Sequence, residues 1–148
     1  MSGREQLVKI VASRAHEAWR EQWRGQSGAA PRSKKTQDRA WIAAHGTDYV
    51  DIAATSFSEL PDDWQEENRR NAEVSVDAVL ESVALGAPLD VARIECIAET
   101  VHAAWLARNG RWAPPHQQRP YADLDESDKE RDRLVVRWTI AAVLAESR

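Results

Sequence analysis

Very little in this 148-residue chain can cross-link, and no part of it is apolar for long. A single cysteine, Cys96, excludes an internal disulfide, and with no histidine or basic residue beside it, it makes a poor nucleophile. No apolar run is long enough to span a bilayer, and Met1–Ile10 carries no signal-peptide pattern, so a cytoplasmic protein without a membrane partner is expected. The four histidines are scattered rather than set at zinc spacing, so neither a metal nor a cofactor is expected. Positive charge is not in excess. Twenty basic against 24 acidic residues leave a net charge of −4, which argues against a nucleic-acid polymer as partner. Phenylalanine and tyrosine are scarce too, with one and two copies against seven tryptophans. A chain needing only apolar bulk would draw on Leu, Ile and Phe. Tryptophan adds a broad flat face and one indole donor, suited to stacking on a ring or to anchoring a core.

What is present is said twice. Ala15-His16-Glu17-Ala18-Trp19 recurs as Val101-His102-Ala103-Ala104-Trp105. The segment from Phe57 to Arg69 then aligns without gaps on Tyr121 to Arg133, placing Leu60 on Leu124, Glu66 on Glu130 and Arg69 on Arg133. The register continues to Ala78-Val79-Leu80 over Ala142-Val143-Leu144. Such a duplication implies a pseudo-two-fold molecule with a ligand site where the two units face each other.

Helical periodicity predicts helices over Arg4–Arg24, Asp38–Ala44, Trp64–Leu85, Leu89–Arg108 and Asp128–Glu146. Residues 26–37 read as a polar loop, and Tyr49–Ala53 as a brief β-like run, one rung of a small hairpin. Asp63-Trp64-Gln65-Glu66 and Ser127-Asp128-Lys129-Glu130 fit capping boxes at matching places. The rows Val76, Val79, Leu80, Val83 and Ile140, Val143, Leu144 should pack together. Pro114, Pro115 and Pro120 force an extended segment before Tyr121. The expected fold is therefore mainly α: two tandem, pseudo-two-fold-related helix–arm–helix units, residues 1–86 and 87–148, with short β-strands in the arms. The first arm is the longer, and its excess holds a basic cluster of Arg32, Lys34, Lys35 and Arg39.

The second half carries His102-Ala103-Ala104-Trp105, Asn109-Gly110-Arg111-Trp112, Arg119-Pro120-Tyr121 with Leu124, and Lys129 with Asp132-Arg133. In this order the motifs resemble the ryanodine-receptor repeat (RyR domain) family over about Val91–Glu146. The first half resembles a divergent copy. It keeps His16 and Trp19, has Phe57 for the tyrosine and Asn68-Arg69 for Asp-Arg, and lacks a clean Gly-Trp turn, so Trp23 or Trp41 would replace Trp112. In receptor channels these units come in tandem pairs whose cleft can take an adenine nucleotide between tryptophans. In bacteria and phages the domain accompanies nucleotide-signalling defence systems. The resemblance implies a non-catalytic module for an adenine- or ADP-ribose-like signalling nucleotide, cyclic forms included, acting as a sponge or a sensor.

The candidate ligand residues follow from that reading. Trp112 with Trp23 or Trp41 would sandwich a base, Arg32, Lys34, Lys35 and Arg39 with Arg111 and Arg119 would clamp phosphate, Asn68-Arg69 and Asp132-Arg133 would meet ribose or a base edge, and Tyr121 joins the ligand-binding residues. Core packing, a solvated charge run and structural ion pairs are the blander readings of the same residues. His16 and His102 read as hydrogen-bonded structural histidines. Two other functions stay open: a protein–protein adaptor with a Trp-rich face, and a metal-dependent nucleotide hydrolase drawing on Asp48, Asp51, Asp62 and Asp63. A homodimer is compatible with each.

Overall fold

The computed structural model describes residues 2–26 and 28–146. The protein is mainly α, with five helices and one two-stranded antiparallel hairpin among the described residues. The helices are α1 (Gly3–Arg24), α2 (Arg39–His45), α3 (Asp62–Ala84), α4 (Val91–Asn109) and α5 (Glu126–Glu146). Strand β1 (Ser33–Lys35) pairs with β2 (Tyr49–Asp51), placing Lys34 opposite Val50. Short 3-10 turns occupy Phe57–Glu59, Pro115–Gln117 and Tyr121–Asp123.

Local chemistry sets the ends of these elements. Ser2 and Glu5 form a reciprocal capping box on α1, and Asp38 and Asp90 accept the exposed N–H groups of Trp41 and Arg93 at the starts of α2 and α4. Gly46, at φ 70°, closes α2 in a left-handed conformation that a residue with a Cβ adopts only at a cost. The two capping boxes expected from the sequence do not form. Helix α3 starts at Asp62 behind Pro61, which moves Asp63 inside the first turn. There its carboxylate accepts from the Thr36 hydroxyl at 2.7 Å and the Gln37 N–H at 2.9 Å, tying the hairpin to α3. Helix α5 starts at Glu126, so Ser127 lies inside it, and Glu130 takes Arg133 and Arg137 instead.

Helices α1 and α4 each pack on both α3 and α5, which pack on each other. Leu7, Val8, Val11, Ala12 and Ala15 give α1 a buried stripe at helical spacing. They meet Val76 and Val79 of α3, Ile97 and Val101 of α4, and Val136 and Val143 of α5. Where α3 meets α5, the hydroxyls of Ser75 and Thr139 bond at 2.7 Å with both side chains fully buried. Val83 and Leu144, expected in this packing, are half-exposed instead, while the adjacent Ser82 and Val143 are buried, so the two lie on the outer faces of their helices. Strands occur in the first arm alone among the described residues. In the second, Pro114 and Pro120 are extended, as expected, but each leads into a 3-10 turn and no partner strand is at hand.

Candidate functional site

The two His-x-x-Trp motifs face the same cleft. His16 and Trp19 from α1 line it together with His102 and Trp105 from α4, and α3, α5 and the arm residues Ile52, Gln117 and Leu124 complete the wall around an interior volume of about 150 Å³. Each histidine is buried and fixed the same way. His16 Nε2 donates to the Thr55 carbonyl at 2.9 Å, and His102 Nε2 to the Arg119 carbonyl at 2.7 Å. Each ring lies 5.9 Å from its tryptophan, near parallel, and is tilted against an aromatic of the following arm, Phe57 at 6.4 Å or Tyr121 at 6.5 Å. The register that aligns Leu60 with Leu124 also aligns Thr55 with Arg119 and Ser75 with Thr139. The two tryptophans are half-buried, so each has a face held by protein and surface left to the cleft.

The same register pairs eight further wall residues: Trp64 with Asp128, Glu67 with Arg131, Asn68 with Asp132, and Asn71 with Val135. Their charges are handled unequally. Glu67 accepts from Arg108 at 3.0 Å and from Asn109 at 2.9 Å, while Asp128 meets His116 Nδ1 at 3.0 Å. Desolvation pushes the Asp132 carboxyl up to about 7, with Asp128 adding to the rise and Arg131 opposing it. Its oxygen lies 3.5 Å from His102 Nδ1, the nitrogen left as acceptor when Nε2 donates in the neutral ring. Burial likewise lowers the pKa of His16 and keeps it neutral.

Arg131 stands apart. No hydrogen bond or ion pair holds its side chain among the described residues. As a residue it stays open to water, yet its guanidinium has enough protein around it for desolvation to lower its pKa, with Arg32 adding repulsion and the charges of Asp132 and Asp128 opposing the fall. An arginine inside an open cleft meets both conditions. Every acid in the wall is thus paired or drawn toward its neutral form, while Arg131 feels the charges of Asp132 and Asp128 but makes no hydrogen bond or ion pair among the described residues. The interior favours an anion.

The residues named from sequence fall into two groups. Asn68 and Asp132 line the cleft, and Arg32 lies against it, its guanidinium 5.9 Å from the Trp19 ring and 4.7 Å from Trp23. The others lie elsewhere. Trp112 is 72% exposed and, with Arg111, lines a separate depression at the end of α4, past the Gly110 cap. Trp41 stacks on His45 at 4.0 Å and bonds the Glu59 carbonyl. Trp23 packs on Trp19 at 6.2 Å and donates to the Ala30 carbonyl, forming a second layer behind the cleft wall. Lys35 points to the outer face of the hairpin, toward Asp48 and Tyr49. Arg119 offers its carbonyl to His102 while its side chain is exposed. Tyr121 is buried, with its hydroxyl on Glu95.

Sequence reasoning passed over Trp19, Trp64, Trp105, Glu67, Asn71 and Arg131. The repeated His-x-x-Trp motif held two of them in view, but a tryptophan ending an amphipathic helix reads as core. Of the carboxylates considered for hydrolysis, Asp51 accepts the backbone N–H groups of Arg32 and Ala53, Asp63 ties the hairpin, and Asp48 faces Lys35. No group of three or more His, Cys, Asp or Glu able to hold a metal occurs among the described residues, and none of their helices is long and apolar enough to cross a membrane. Comparison with protein-family models, curated proteins and solved structures finds no match to this chain.

Proposed function

We propose that the chain is a tandem pair of divergent helix–arm–helix units of ryanodine-receptor-repeat type, and that the cleft between them binds an adenine-type nucleotide without transforming it. The pseudo-two-fold reading is supported by the matched contacts of His16 and His102 and by the Ser75–Thr139 hydrogen bond, which joins two residues aligned by the repeat. The ligand class rests on one observation above the others: Arg131, which makes no hydrogen bond or ion pair among the described residues, stands in a cleft walled by Trp19 and Trp105. Ring faces beside an unpaired cation match a ligand with a flat base and a phosphate. An interior of about 150 Å³ is small for a drug-sized molecule, so it takes the base and leaves the rest of the ligand at the mouth.

On this reading Asn68, Asn71 and Asp132 meet the polar edge of the base, and the protein acts as a sponge or a sensor for a nucleotide signal of the kind used in bacterial and phage immunity. A second reading, a protein–protein adaptor, draws on the exposed Trp112 beside Leu106 and Arg111. Thermal shift against a nucleotide panel, followed by chromatographic recovery of the ligand after denaturation, separates the readings. Stabilisation with the ligand recovered intact is expected. A chemically altered ligand would mean catalysis, and no shift with any nucleotide would leave the adaptor.

A further inference from the structure

The basic arm does not hang free. Thr36 N–H and Ile52 N–H bond across the hairpin to the carbonyls of Asp48 and Arg32, and the Trp64 indole donates to the Lys35 carbonyl at 2.9 Å. With the Thr36–Asp63 bond, this fixes which way each strand face points. Residues directly opposite on antiparallel strands share a face, and side chains alternate along each strand. Lys34 and Val50 therefore share one face with Arg32 and Ile52. Val50 is fully buried and Ile52 lines the cleft, so this is the inward face, and Ser33 and Lys35 take the outer one.

The consequence is a convergence of cations from two parts of the chain. Arg32 lies over the Trp19 and Trp23 rings at the edge of the cleft, Lys34 follows it on the same face, and Arg131 reaches out of α5. The three feel one another: burial lowers the pKa of Lys34, and the charges of Arg32 and Arg131 lower it further. None of the three side chains makes a hydrogen bond or ion pair with a carboxylate among the described residues, and Asp132 and Asp128 act on Arg131 through their charge alone. The position aligned with Arg131 in the first half is Glu67, already neutralised by Arg108, so the positive charge sits at one end of an otherwise matched cleft.

We infer that Arg32, Lys34 and Arg131 form a diphosphate site, so that the ligand of the cleft is a nucleoside carrying a linear chain of at least two phosphates. The inference rests on the nucleotide reading and deepens it. A monophosphate ester brings a charge of about −1.5 to −2, which falls short of three cations. A diphosphate brings more charge and enough oxygens to reach a helix arginine and a hairpin at once. The charge at one end also fixes the direction of the ligand, base between the tryptophans and phosphates toward the hairpin.

The test is calorimetric titration of the full chain with adenosine, AMP, ADP and inorganic pyrophosphate, repeated with R131Q, K34Q, K34R and K35Q, each checked for folding by thermal melt. ADP should bind roughly tenfold or more tighter than AMP, and AMP tighter than adenosine. R131Q and K34Q should each cut ADP affinity about tenfold or more while leaving adenosine unchanged, K34R should restore most of it, and K35Q should bind like the parent. Equal affinity for adenosine and ADP, or an equal loss in K34Q and K35Q, overturns the diphosphate site while the nucleotide reading stands. Binding of pyrophosphate, sensitive to R131Q, with no binding of any adenine compound supports the anion site and removes the nucleotide reading. If neither pyrophosphate nor any nucleotide binds, both fail.

Discussion

Replacing Trp105 by alanine removes one aromatic wall of the cleft and leaves the cation cluster in place. Trp19 is the less clean target, because its ring also packs on Trp23 and lies under Arg32, so its loss disturbs both halves of the proposed ligand site. Trp105 has one ring partner, His102, stacked at 5.9 Å and 18°. Losing a stacking face should cost about 1–3 kcal/mol, a fall in affinity of roughly fivefold to 150-fold. Truncating a fully buried tryptophan destabilises by about 3–5 kcal/mol, and a half-buried one loses a smaller area, so about 2 kcal/mol is expected here. Trp105→Phe keeps a ring at the position and should bind at an intermediate level. Isothermal titration with ADP, run on variants whose melting curves show a folded state, separates affinity from stability. Trp112→Ala, on the far side of the Gly110 turn, should bind like the parent. If folded Trp105→Ala keeps parental affinity, or if Trp112→Ala loses it, the placement of the base between Trp19 and Trp105 is wrong.

Thr139→Val should destabilise by about 1–3 kcal/mol, because it strands the buried Ser75 hydroxyl, whereas Ser75→Ala with Thr139→Val together should cost less than the single change; urea denaturation of both variants decides it. The Asp132 carboxyl, which faces Arg131, Asp128 and His102 Nδ1, holds its proton up to about 7 in the fold against an ordinary value of 3.8. Between those values the folded state binds more protons than the unfolded one, so the contribution of Asp132 to stability falls as pH rises through this window and stays low above it. Asp132→Asn should therefore raise the melting temperature at pH 8 and change it little at pH 4, and an equal shift at both would show that the proton is not held. Glu67→Gln weakens the bonds that fix Arg108 and Asn109 at the end of α4, and should lower stability by about 1 kcal/mol on denaturant titration.

The helices were legible because their causes are local. Apolar residues at helical spacing and stops such as Gly46 placed all five within a few residues of their observed bounds. The likeness of the His16 and His102 surroundings was foreshadowed as well, because the two residues share a His-x-x-Trp motif. The capping boxes misled, since Asp63 and Ser127 have suitable side chains but lie one turn position too far along, and only the tertiary bonds to Thr36 and Gln37 reveal what Asp63 does. The site was half legible for a related reason. Tryptophan excess pointed to stacking, yet which tryptophans face a cleft depends on how four helices cross. Trp112 drew attention by its motif and is exposed outside the cleft, while Trp19 and Trp105 passed as helix-end anchors. Lys34 and Lys35 are neighbours that the strand sends to opposite faces, and strand β1 itself had read as loop. Arg131 gave no sequence signal, since an arginine in an acidic helix reads as an ion-pair member.

The seven tryptophan indole N–H groups give a direct test of the claim that the cleft binds a nucleotide. In a nitrogen–proton correlation spectrum of the labelled protein, with resonances assigned by single tryptophan substitutions, ADP should shift Trp19, Trp64 and Trp105 together in a saturable way. Trp41 and Trp112 should stay fixed. Saturable shifts confined to Trp112, or a spectrum unchanged by millimolar ADP, would contradict it.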